Sequence, residues 1–91
     1  MGTKSNPAKF DCYANAKPDE PMFVLLARDR HASGLVRLWA LLREREGEAP
    51  EIVEEANQCA DAMEAYLLAT KDQKPVDIVD ALGRAIGRTD T

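Results

Sequence analysis

Cysteine and histidine are scarce in this chain: Cys12 and Cys59 stand far apart, and His31 is the single histidine. That set cannot assemble a zinc site of the usual Cys and His type. Neither a Gly-x-Ser-x-Gly elbow nor a glycine-rich phosphate loop is present, so nucleophilic and nucleotide-hydrolysing machinery finds no motif. Aromatics are few: two Phe, two Tyr and one Trp. Long apolar runs are also missing. The longest, residues 22–27, falls well below the roughly 20 residues that cross a bilayer. Residues 1–9 contain Lys4 but no apolar stretch behind it, so no secretory signal is read there. Cytosol is the expected compartment. Positive charge does not dominate either, with 12 Lys and Arg against 16 Asp and Glu and a net charge of −4. Duplex-binding proteins gain affinity by releasing counterions from phosphates and carry a basic balance, so a nucleic-acid polymer is not the expected partner. A local basic pocket for a small anion stays compatible with the total.

What the chain does have is helix-forming apolar content. Hydrophobic residues make up 45% of the 91, mostly Ala, Leu and Val, and Ala and Leu favour helices. This length suits one domain, with a thin core, because about 60–65% of the unfolded surface is buried at such a size. The expectation is an all-α fold, a small bundle of about four helices completed by homo-oligomerisation. Residues 1–9 read as a disordered tail and residues 10–91 as the single helical domain. Phe10, Cys12 and Tyr13 form a short apolar patch, either one helical turn or an extended piece.

Asp19, Glu20 and Pro21 read as a helix start. They lead into residues 22–28, whose apolar run fits a helix or a buried strand; helix is preferred because no second strand is evident. Leu35, Leu38, Trp39 and Leu42 recur at i, i+3, i+4, i+7 and mark a second helix over 35–46. Gly47 supplies a left-handed cap and Pro50 blocks continuation. A third helix over 51–70 carries Ile52, Ala56, Cys59, Met63 and Tyr66 on one stripe, widened by Val53, Ala60 and Leu67; Cys59 reads as a buried thiol. Glu51, Glu54 and Glu55 suit its positive end. Pro75 opens a fourth helix to about Ile86, with Val79, Leu82 and Ile86 toward the core. Asp80 and Arg84 are spaced for an ion pair.

The block PDEPMFVLLARDRHASGLVRLWA, residues 18–40, resembles one found in small proteins of bacteriophages, prophages and proteobacterial genomes. In that group an alanine-rich acidic helix follows, similar to ANQCADAMEAY at 56–66. The resemblance covers about half of the chain. The group has no assigned activity, so the likeness implies a phage or mobile-element context in a bacterial cytoplasm and carries over no catalytic residue. The group has proline where this chain has Arg30.

Three constellations are candidates for chemistry. Arg28, Arg30, His31 and Arg37 surround Ser33 and Gly34 at a helix start, where free backbone N–H groups and guanidinium groups suit an anion such as a linear or cyclic nucleotide. The bland alternative is a solvated or carboxylate-paired arginine face. Glu54, Glu55 and Gln58 with Asp77 and Asp80 echo the acidic motif of all-α pyrophosphohydrolases of the MazG type, whose carboxylates hold magnesium. Gln58 there replaces a charge that a hard cation needs, and acids at helix starts account for the rest. Trp39 and Tyr66 are either core residues or anchors for a partner.

The resulting expectation is a non-enzymatic protein with no cofactor and no metal. It would act by stoichiometric contact with a bacterial host protein, for example as an antagonist of host defence, through Trp39 and Tyr66. The alternative is sequestration of a nucleotide signal at the arginine cluster.

Overall fold

The computed structural model describes residues 1–87, and among them every regular element is a helix. α1 is Cys12–Asn15, α2 Ala32–Arg45, α3 Pro50–Lys71 and α4 Ile78–Gly87. The all-α expectation holds. None of the described helices is long and apolar enough to cross a membrane.

α1 is the single turn that Phe10, Cys12 and Tyr13 left open; Asp11 caps it by accepting from the Tyr13 N–H at 3.1 Å. The helix expected over 22–28 does not form. Between Glu20 and Leu26 the chain shows no helix, ladder, turn or bend, and Phe23 is 86% exposed. A seven-residue helix is too short to stand without a packed face.

α2 stops as its sequence requires. Gly47, at φ 84°, takes the left-handed position after the helix. Its N–H donates to Glu44 O and the Glu48 N–H to Arg43 O, the paired bonds of a Schellman ending. Pro50 then occupies the first turn of α3, where its missing N–H costs nothing. The short connection folds α3 back on α2 as a helical hairpin. α3 ends at Asp72, itself left-handed at φ 51°.

Small residues form the hairpin seam. Ala32, Ser33 and Ala40 are buried on α2, and Val53, Ala56, Ala60 and Leu67 on α3. Among the described residues Leu67 is the one large side chain that is fully buried. Ala40, Val53 and Ala56 form the central cluster, joined by Val36 and Met1. Alanine on both helices lets the backbones approach closely, and that closeness replaces bulk as the source of packing contact. The larger stripes are turned away from this seam. On α2 the row Leu35, Trp39 and Leu42 is exposed and Leu38 half-buried. On α3, Ala56 is buried, Ile52, Cys59 and Met63 are half-buried and Tyr66 is exposed.

α4 closes over the start of α2. The Val76 N–H donates to Arg30 O at 2.8 Å, and Ile78 lies against Gly34. Asp77 caps α4 by accepting from the Asp80 N–H, and the Asp80–Arg84 pair forms at 2.8 Å. Val79 and Leu82, expected in the core, are exposed; Ile78 and Val76 make the half-buried contact instead. The Ile86 side chain lies outside the described residues.

The segment ahead of α1 touches α3. The Met1 ammonium donates to Phe10 O at 2.9 Å, Phe10 N–H donates to the Glu55 carboxylate, and Lys9 approaches Glu51 at 3.9 Å.

Candidate contact surface and arginine cluster

The arginine cluster is divided by the fold. Arg37 leaves the junction and crosses to α3. There Nε and Nη2 donate to the two oxygens of Glu64 at 3.1 and 2.9 Å, and Nη2 also reaches Asp61 at 2.6 Å. The Glu64 and then the Asp61 hydrogen bonds raise the guanidinium's already high pKa further, so this side chain is committed to holding α2 on α3. Ser33 is buried at 3% exposure, and Gly34 is covered by Val76 and Ile78.

His31 is exposed and turned to Asp29, whose Oδ1 accepts from the His31 backbone N–H at 2.9 Å and lies 3.1 Å from Nδ1. Those two bonds, the backbone one first, hold the Asp29 carboxyl below the usual aspartate value. Asp29 also supplies a backbone carbonyl to the Ala32 N–H. The positive start of α2 therefore already faces one carboxylate. Arg28 and Arg30 are exposed and make no ion pair among the described residues.

A shallow cleft of about 280 Å³ lies beside this junction, between Arg37, Glu64 and the segment Pro75, Val76, Asp77, Ile78 and Val79. Its one guanidinium is paired with Glu64, and Asp77 adds a second carboxylate to the lining. That balance is unfavourable to an anion and gives the cleft an apolar, weakly acidic character.

The acidic set does not converge. Glu54 accepts from Gln58 Nε2 at 3.3 Å, Glu55 holds Phe10, Asp77 caps α4 and Asp80 pairs with Arg84. Among the described residues no three His, Cys, Asp or Glu side chains group as metal ligands. Cys12 is exposed and Cys59 half-buried, both as free thiols.

Trp39 is 43% exposed, with the Arg43 guanidinium 5.8 Å from its ring centroid. Arg43 is itself tied to Glu48, mainly by a side-chain hydrogen bond, which keeps the Glu48 carboxyl below the ordinary glutamate value. Tyr66 is 54% exposed on α3. Sequence reasoning missed segment 22–26 as a surface. Met22, Phe23, Val24 and Leu26 are all exposed there, and among the described residues their N–H groups donate to no backbone carbonyl. The adjacent Val24 and Phe23, both strand formers, were the available signal. No family model, curated protein or solved structure matches the chain.

Proposed function

We propose that this chain is a non-catalytic, self-associating binding protein that acts by stoichiometric contact with a protein partner. The observation that carries the reading is the inverted distribution of its apolar residues. Alanines fill the seam, while Phe23, Trp39, Leu42 and Tyr66 are exposed. Large apolar and aromatic groups left outside a small domain are the anchors of protein interfaces. Segment 22–26 also offers N–H groups that donate to no carbonyl among the described residues, beside its exposed side chains, which suits addition to the edge of a partner's sheet. The phage context that the resemblance of residues 18–40 implies would make a bacterial host protein that partner and the bacterial cytoplasm the place.

A photoreactive phenylalanine analogue at position 23 tests this in bacterial cells. The expected product is one discrete adduct to a host protein, lost on Leu26→Asp. Adducts only to the chain itself, or none, would contradict the reading.

A second reading rests on Arg28 and Arg30, which are exposed without an internal partner among the described residues. They are free to take an anionic small molecule such as a nucleotide. Ligand at about a hundredfold excess over Kd stabilises a fold by roughly 3 kcal/mol. A melting shift with linear or cyclic nucleotides, lost on Arg28→Ala with Arg30→Ala, would favour this reading over the first.

A further inference from the structure

We infer that the outer face of α2 is covered by α2 of a second copy of this chain, packed antiparallel about a two-fold axis. The inference rests on the self-association proposed above and names its surface and register. Area is the first argument. The chain exposes 7302 Å², whereas a folded monomer of 10.0 kDa exposes about 5,200 Å². The surplus of roughly 2,000 Å² exceeds the 800 Å² or so that each partner loses in a standard interface. The radius of gyration agrees: 14.6 Å against about 12 Å for a compact chain of this length. An α2 face shared with a second copy removes part of that surplus and leaves segment 22–26 free for another partner.

The stripe itself supplies the second argument. Leu35, Leu38, Trp39 and Leu42 are symmetric about the midpoint between 38 and 39. An antiparallel two-fold therefore sets Leu35 against the second copy's Leu42, and Leu38 against its Trp39, while Leu41, also exposed on α2, lies outside this four-residue stripe. A two-fold interface must be self-complementary in this way.

Charge is the third argument. Arg28, Asp29 and Arg30 leave one net positive charge before α2, and Arg43, Glu44, Arg45, Glu46 and Glu48 leave one net negative charge at its end. Antiparallel packing brings the opposite ends together and opposes the helix dipoles favourably. A parallel pair would juxtapose like ends.

The test combines sedimentation with crosslinking, on the full chain carrying Cys12→Ser and Cys59→Ala. Sedimentation across protein concentrations should show an oligomer. Trp39→Glu should weaken the oligomer by about a hundredfold or more, as expected for a central interface anchor. Circular dichroism should confirm retained helix, since Trp39 lies outside the alanine seam. Leu35→Cys with Leu42→Cys should oxidise to a covalent dimer while either single change does not. Positions 35 and 42 lie about 10 Å apart along one helix, too far for an internal disulfide. A monomer at every concentration would overturn this inference and the self-association with it. An oligomer that survives Trp39→Glu, or that crosslinks through Leu35→Cys alone, would overturn the α2 pairing and leave self-association standing.

Discussion

Gly34 is the position where two opposing effects of one methyl group can be separated. It lies inside α2, where alanine in place of glycine favours the helix by about 1 kcal/mol. A Cβ built there would sit 2.9 Å from Val76 O and closer still to Ile78. Real Cβ atoms do not approach a carbonyl so closely, so the segment before α4 must retreat. Retreat strains or breaks the bond from the Val76 N–H to Arg30 O, worth about 1 kcal/mol, and overpacking of this kind costs roughly 1–3 kcal/mol. The loss outweighs the helical gain, and because it falls on the α4 contact it appears as local opening. Gly34→Ala should therefore speed exchange of the Val76 amide hydrogen by about 5- to 30-fold, corresponding to about 1–2 kcal/mol. Gly83→Ala is the control: a Cβ there meets nothing within 4 Å, so the change should stabilise α4 by about 0.5–1 kcal/mol. Measurement is by hydrogen exchange with urea unfolding. If Gly34→Ala raises the unfolding midpoint and leaves Val76 protected, the close approach of α4 to α2 is wrong.

Leu67→Ala should cost about 2–4 kcal/mol in urea unfolding, since it empties the one large fully buried site, whereas the exposed Leu68→Ala should stay within about 0.5 kcal/mol. Arg37→Ala should cost on the order of 1 kcal/mol after discounting for its partial exposure, and the difference from wild type should shrink as salt rises. Glu48 has its folded value lowered by Arg43, so its contribution to stability is present above the ordinary glutamate value near 4.5 and is lost as pH falls through the lower folded value. Carbon-detected titration should place Glu48 below the ordinary glutamate value, and Arg43→Gln should raise it back toward that value; no change would refute the pairing.

The break between α2 and α3 was legible in the sequence because it depends on local chemistry, whereas α2 starts at Ala32 rather than 35 and α4 at Ile78 rather than Pro75. Gly47 and Pro50 end α2 and begin α3 through their own backbone constraints, and Asp80 and Arg84 meet because four residues are one helical turn. Which face of a helix is buried depends on its neighbour, and there the largest side chains misled. Leu35, Trp39 and Leu42 carry the greater hydrophobicity, yet Ala40 meets Val53 and Ala56, because small residues set how near two helices can come. The stretch 22–28 failed for a related reason. Its composition allows a helix, but a short helix depends on packing against a neighbour, and Met22, Phe23, Val24 and Leu26 are left exposed. At the candidate site, the grouping of Arg28, Arg30 and Arg37 in sequence concealed that a helix carries Arg37 round to Asp61 and Glu64. Those carboxylates lie on α3, and pairing across 24 and 27 residues leaves no local trace.

Trp39, as the single tryptophan, reports directly on whether the large apolar face is turned outward to meet a second chain. Acrylamide quenching of its fluorescence should be strong in dilute protein and fall, with a blue shift in emission, as concentration drives association. Emission already shielded in a monomer at the lowest concentration, or quenching unchanged across the range, would contradict the account.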